Sequence, residues 1–201
     1  MHPSVLIIQG SYKESGMTVA LTRSFTGGIK EAYPKAQVEE IFLKNTKIEF
    51  CEGCYECSNI QCKIDDGMNE ILKKMIQANV LVYATPVYMY GPTALMKRFM
   101  ERNYPVLETA SGMPKSRLKK RDCIGTVILS SGAPPVINRI FGITYYPSKI
   151  LKWLCRLWGC RNTYVLRAGG MESGNKAKAR EVRKARDLGR TIGKELHNLY
   201  K

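Results

Sequence analysis

Histidine is scarce in this chain: only His2 and His197 occur. Neither is near the clustered cysteines in sequence, so mixed Cys/His zinc ligation is not favoured. Acidic charge is scarce too. Asp and Glu number 17 against 32 Lys and Arg, a formal net charge of +15. Such a field attracts anions: phosphorylated cofactors, acidic proteins, nucleic acid or anionic membrane. Helix-turn-helix, RNP and zinc-finger patterns are all missing, so nucleic acid is not an expected partner. No apolar run approaches the ~20 residues of a membrane span. Met1–Gly10 has neither a basic n-region nor a long apolar h-region, so no signal peptide is expected. The expectation is a soluble, cytoplasmic protein with no membrane partner. Internal repeats and low-complexity stretches are also lacking.

What is present is an ordinary apolar content of 44% in 201 residues, enough for one α/β domain spanning 1–201. Strands are expected at Ser4–Gln9, Val38–Leu43, Val80–Ala84, Cys123–Leu129 and Thr163–Leu166. Helices are expected at Met17–Tyr33, from an Asp66 cap to about Gln77, and at Thr93–Arg102, Ser148–Trp158 and Lys176–Tyr200. Val182, Ala185, Leu188, Ile192, Leu196 and Leu199 form the core face of the last helix. Asn103–Arg121 and Ala133–Pro147 are long connections, available for an oligomer interface or a lid. Alternating strands and helices imply right-handed βαβ units and a three-layer, doubly wound α/β/α fold with a five-stranded parallel sheet. Ligands then bind beyond the carboxyl ends of the strands.

Three loops meet that edge. Gly10–Thr18 offers hydroxyls from Ser11, Ser15 and Thr18, the Lys13 ammonium and free N–H groups at a helix start, which suit a phosphate. Ser15 could instead simply cap the helix. The loop is neither a Walker A nor a Gly-x-Gly-x-x-Gly motif. Thr85–Pro92 carries two prolines and a glycine, a rigid and partly apolar rim for a flat heteroaromatic ring. Ser130–Pro134 supplies small residues and backbone N–H groups.

Gly10-Ser11-x-Lys13 with Thr18, Thr85-Pro86-Val87-Tyr88, and Leu95-x-Lys97-x-Phe99 with Arg102 together resemble the NADPH-dependent FMN reductase group of flavodoxin-like proteins. The resemblance covers about residues 1–132. It implies the flavodoxin-like strand order 2-1-3-4-5 and an FMN cofactor. By position, Ser11, Lys13, Ser15 and Thr18 would hold the FMN phosphate. Pro86, Val87, Tyr88, Met89 and Gly91 would line the isoalloxazine, with Ser131 and Gly132 beside it. Met17 departs from the pattern, since many relatives carry Asn there.

Four of the seven cysteines fall in Cys51-x2-Cys54-x2-Cys57-x4-Cys62. The short spacings let a wrapped loop aim successive thiolates at one centre. Four thiolates suit an iron–sulfur cluster or tetrahedral zinc, and free redox-active thiols are the third possibility. The spacing is similar to that of iron–sulfur flavoproteins in the same group, which implies a [4Fe–4S] cluster near the FMN. Cys123, Cys155 and Cys160 lie in core-like segments and read as small buried residues.

No acid–base triad is visible, as befits chemistry carried by a cofactor. The expected function is an FMN-binding oxidoreductase that moves electrons between FMN, a [4Fe–4S] cluster and a redox partner. NAD(P)H is a possible donor, an acidic ferredoxin-like protein a possible partner, and a homodimer or homotetramer the expected assembly. The rivals are a cluster-free NAD(P)H-dependent FMN or quinone reductase and a non-enzymatic metal- or nucleic-acid-binding module. Basic residues crowd Lys115–Arg121 and Glu172–Lys201. They read as solvated surface, or as docking for an acidic partner or a nicotinamide cofactor's extra phosphate.

Overall fold

The computed structural model describes residues 3–108, 115–119, 121–170 and 175–200. Five strands, β1 (Ser4–Gln9), β2 (Gln37–Phe42), β3 (Val80–Tyr88), β4 (Arg121–Ser130) and β5 (Cys160–Ala168), form a parallel sheet in the order β2-β1-β3-β4-β5. This is the expected order. Helices α1 (Met17–Ala32) and α6 (Asn175–Leu199) cover one face. Helices α2 (Gly67–Gln77), α3 (Ala94–Glu101) and α5 (Tyr145–Leu157) cover the other. Side chains alternate along each strand, so Val5 and Ile7 pack under α1 and α6 while Leu6 and Ile8 pack under α2 and α3. Among the described residues no helix is long and apolar enough to cross a membrane.

Local signals explain the boundaries. Asp66 caps α2, its Oδ1 accepting from Met68 N at 2.9 Å. Thr93 caps α3 by accepting from Met96 N at 3.2 Å. β1 has the expected bounds and β2 lies one residue earlier, while β3, β4 and β5 run longer than their apolar runs because ladder bonds continue past the core. In the Ala133–Pro147 connection, a further helix, α4 (Pro135–Ile140), replaces the expected loop. Pro134 and Pro135 at its start hide it from an apolar-periodicity reading. The described parts of Asn103–Arg121 hold a 3-10 turn at Tyr104–Val106 and paired two-residue strands at Leu107–Glu108 and Lys115–Ser116. Leu199, expected on the core face of α6, is exposed.

The α1–α6 contact is closer than side-chain packing allows. A Cβ on Gly28 would lie 2.0 Å from the Arg186 carbonyl oxygen, and one on Gly189 would lie 2.0 Å from that of Phe25. Ser24 Oγ also donates to Val182 O at 2.9 Å. Gly27, one residue from Gly28, has open space where a Cβ would go. Two alanine substitutions should therefore have opposite signs. Gly189→Ala should destabilise by about 1–3 kcal/mol through overpacking. Gly27→Ala should stabilise by about 0.5–1 kcal/mol through helix propensity. Denaturant unfolding of both variants checks this, and a neutral Gly189→Ala would contradict the close approach.

Candidate functional site

The carboxyl edge is assembled by hydrogen bonds between loops. Gly10 N donates to Ala84 O at 2.7 Å, and Thr93 Oγ1 donates to Gly10 O at 2.7 Å. A Cβ on Gly10 would meet Met96 Cβ at 3.0 Å, so glycine lets the first loop leave β1 beneath α3. Ser11 is buried. Its Oγ accepts from Lys13 N at 3.1 Å and donates to Lys13 O at 3.0 Å, building the turn from its own side chain. Thr18 is buried too, and its hydroxyl pairs with Ser130 Oγ at 2.7 Å, tying the first loop to the end of β4. Lys13 and Ser15 are exposed. Ser15 does not cap α1: the N-cap is Gly16, without a side-chain bond. The first-turn N–H groups of Met17, Thr18 and Val19 have no intrahelical acceptor.

The second loop is a hairpin. Val87 pairs with Pro92 and Tyr88 with Gly91. The two residues between, Met89 and Tyr90, have φ of 47° and 62°. Both values are left-handed, as in a type I′ turn, where Asn-Gly is the relaxed choice. Met-Tyr at those positions is strained, and such strain gathers at ligand sites. Met89 is 96% exposed, Tyr88 and Tyr90 are half-exposed, Val87 and Gly91 are partly covered and Pro86 is buried. In the third loop Gly132 is exposed, while Ser131 is buried. Ser131 N donates to Ala168 O at 2.9 Å and its Oγ to Asn138 Oδ1 at 2.9 Å. Asn138 Nδ2 in turn holds Ala133 O at 2.7 Å. Asn138 escapes a sequence reading because α4 itself does.

The cysteine loop follows β2 at the same edge, and a 2.9 Å ion pair between Lys44 and Glu14 links the two loops. Gly53, Tyr55, Asn59 and Ile60 all have positive φ. For β-branched Ile60 this is a costly conformation, held by a turn in which Ser58 N donates to Gln61 O at 3.2 Å and Gln61 N to Ser58 O at 2.7 Å. Cys51, Cys54, Cys57 and Cys62 line one cavity of about 410 Å³, with Tyr55 and Tyr104 beside them. Among the described residues no group of three or more His, Cys, Asp or Glu is placed to hold a metal ion. Burial, then the neighbouring sulfurs of Cys62, Cys54 and Cys51, push the Cys57 thiol up to about 11.

Both ends of this loop are fixed by one buried ion pair. Arg102 Nη1 meets Asp66 Oδ2 at 2.7 Å and Nη2 meets Oδ1 at 3.0 Å, with side chains 0% and 2% exposed. Arg102 also donates to Glu49 O at 2.8 Å, and Glu49 N donates to Asp66 at 2.7 Å. Asn69 holds Cys62 from both sides, accepting from its N at 2.9 Å and donating to its O at 3.0 Å. Burial opposes ionisation of Asp66. The Arg102 guanidinium and the Glu49 and Met68 N–H donors outweigh it, holding the carboxyl below its usual range. The other three cysteines are buried as expected, with the Cys123 and Cys160 sulfurs 3.1 Å apart. A hydrogen bond to Cys160, then burial, drives the Cys123 thiol far up.

Residues 3–115 match the NADPH-dependent FMN reductase family. The chain belongs to that family. This FMN reductase family member is 35% identical over 103 residues to an iron-sulfur flavoprotein of Methanocaldococcus jannaschii, covering 51% of this chain and 52% of that protein. It is 34% identical over 68 residues to an iron-sulfur flavoprotein of Methanosarcina thermophila, covering 33% and 36%. The chain thus spans about half the length, or less, of the curated relatives it matches. Among solved structures it is similar to an NAD(P)H:quinone oxidoreductase from Methanothermobacter marburgensis, with TM-score 0.79, 19% identity and coverage of 96% and 100%. An FMN-dependent NADH-azoreductase from Bacillus anthracis gives TM-score 0.75, 16% identity and the same coverage. These structures establish the flavodoxin-like fold.

The Asp66–Arg102 pair yields a stability prediction. Asp66 has a depressed folded-state pKa, so its contribution is complete above about pH 4 and lost as pH falls through the lower folded value. Near neutral pH, Arg102→Ala leaves the buried Asp66 carboxylate without its counter-charge, held only by the Glu49 and Met68 N–H groups, and should cost about 3–5 kcal/mol. Denaturant titration at pH 7 checks it, and a loss below about 1 kcal/mol would contradict the role given to the pair.

Proposed function

We propose that this FMN reductase family member is a cytoplasmic, single-domain flavin oxidoreductase that binds FMN at the carboxyl edge and a [4Fe–4S] cluster in the Cys51–Cys62 loop. The observation that carries this reading is the four-cysteine cavity at the same sheet edge as an uncapped helix start and a strained aromatic hairpin. The backbone N–H groups of Met17–Val19, with Lys13 and Ser15, hold the phosphate. Ser11 and Thr18 shape that loop by their own hydrogen bonds and take part through it. Pro86, Val87, Tyr88, Met89 and Gly91 form the ring's rim, and Ser131 and Gly132 close its far side.

The donor set fits a cluster better than a single ion. In a four-iron cluster each thiolate binds a different iron, so the thiolates border a volume, and Cys51, Cys54, Cys57 and Cys62 all line one cavity. When bound, FMN accepts a hydride's two electrons and the cluster relays them one at a time between NAD(P)H and an acidic redox protein. The protein's part is to fix the phosphate, shield one ring face with the hairpin and hold the thiolates through the Arg102–Asp66 and Asn69 bonds. Assembly as a homodimer or homotetramer is in keeping with the exposed apolar side chains Val136, Ile140, Ile150 and Trp153 on α4 and α5. The failure of the cysteines to meet at one point also favours a second reading, a cluster-free NAD(P)H-dependent FMN or quinone reductase.

Anaerobic reconstitution separates the two. Cys54→Ala should lose nearly all of about four irons per chain, while its bound FMN absorbance persists. Full iron retention would contradict ligation by the loop. Wild-type protein that binds FMN but takes up no iron would support the cluster-free reading.

A further inference from the structure

Cys123, Cys155 and Cys160 take no part in the site described above, yet they share one region of the core. Cys123 stands near the start of β4, Cys160 opens β5, and Cys155 lies on α5, which packs over both strands. A Cβ on Gly125 would lie 2.8 Å from the Cys155 sulfur, so a glycine in β4 makes room for that thiol. The Cys123 and Cys160 sulfurs are closer still to being joined, at 3.1 Å. A disulfide holds its sulfurs about 2.05 Å apart, so closing this pair asks for a movement of about 1 Å.

A local irregularity brings the pair together. Arg121 is opposite Cys160 and Ile124 is opposite Asn162, so Asp122 and Cys123 both stand against Arg161. Such a bulge re-aims a side chain. In an unbroken register Cys123 would be level with Asn162; the extra residue draws it back towards Cys160. Both cysteines are buried, at 1% and 6% exposure. Cys123 nevertheless lines a cavity of about 240 Å³ with Asp122, Asn162, Glu195 and Leu199, from which a small oxidant can reach the pair. At Cys160 the hydrogen bond from Cys123 favours the thiolate, but Cys155 and burial outweigh it and hold the thiol up. Since the thiolate is the nucleophile, the pair reacts slowly near neutral pH.

We infer that Cys123 and Cys160 are an oxidation site, where hydrogen peroxide joins them in a disulfide that staples β4 to β5. The Cys160 thiolate attacks one peroxide oxygen. An S–O bond forms as the O–O bond breaks, and hydroxide leaves with the proton that Cys160 gave up, as water. The Cys123 sulfur then attacks the sulfenic sulfur. The S–S bond forms, the S–O bond breaks, and the second hydroxide takes the Cys123 proton. In sum, two thiols and one peroxide give a disulfide and two waters. The link joins residues 37 apart in sequence, so it restricts the unfolded chain. It sits at the amino edge of the sheet, roughly 20 Å along β4 from Ser130 and the flavin loops. It therefore acts on stability and not on the flavin.

Peptide mapping tests this. The folded full chain is treated with hydrogen peroxide for increasing times, alkylated in denaturant, digested and analysed by mass spectrometry. A linked Cys123–Cys160 peptide should accumulate, and the thermal midpoint without reductant should rise by about 5–10 °C. Cys160→Ala and Cys123→Ala, treated in the same way, should show no such rise. Recovery of both cysteines unlinked once the Cys51–Cys62 thiols are fully oxidised would overturn the inference. So would a link from either one to another cysteine instead, a link without a higher midpoint, or the same rise in both variants. A chain that takes up no FMN would leave every one of these readouts in force.

Discussion

A guanidinium and a carboxylate buried against each other, Arg102 and Asp66, set the geometry of the whole β2 side of the molecule. Asp66 starts α2, receives Arg102 with both oxygens and takes the N–H of Glu49. Arg102 ends α3 and takes the carbonyl of Glu49. The chain between Glu49 and Asp66 is therefore closed at its base, and the four cysteines lie within that closure. Burying two charges is costly, and the bidentate geometry with the Glu49 and Met68 backbone groups offsets it, although Arg102 Nε is left without a partner among the described residues. The left-handed Asn59 and Ile60 form a tight turn closed locally by Ser58 and Gln61, whose backbone groups bond to each other at 3.2 and 2.7 Å.

The β1 side is organised by a different rule. Polar side chains there are mostly turned to the protein: Ser11 to its own loop, Thr18 to Ser130, Thr93 to Gly10. Lys13 and Ser15 are exposed, and the first-turn N–H groups of α1 have no partner within the helix. A phosphate would thus be met by a prearranged set of helix-start dipoles, with the hydroxyls serving to hold the set in shape. Preorganisation of this kind lowers the ordering cost of binding. The hairpin rim follows the same logic, with its strain carried at Met89 and Tyr90 rather than released by glycine.

Much of this was legible in the residues. Apolar runs located every strand of the sheet, the Asp66 cap located α2, and core-like segments identified three buried cysteines. The rest depended on tertiary facts that no local pattern carries. Two successive prolines masked α4 and with it Asn138. Met-Tyr is a poor type I′ sequence, so the hairpin had no turn signature. Gly28 and Gly189 look like weak helix residues until α1 and α6 are seen in backbone contact. The hydroxyls of Ser11 and Thr18 read as ligands from sequence, and only the structure shows their protein partners. The approach of Cys123 to Cys160 is likewise invisible until β4 and β5 are placed.

The central claim is that the loop from Ser11 to Thr18 binds the phosphate of FMN, and comparing FMN with riboflavin isolates that contact. Equilibrium dialysis or fluorescence quenching on flavin-free protein would give both affinities. Two or more charge-assisted hydrogen bonds of about 1.5–3 kcal/mol each predict that FMN binds at least about a hundredfold more tightly than riboflavin. Equal affinities would contradict the account.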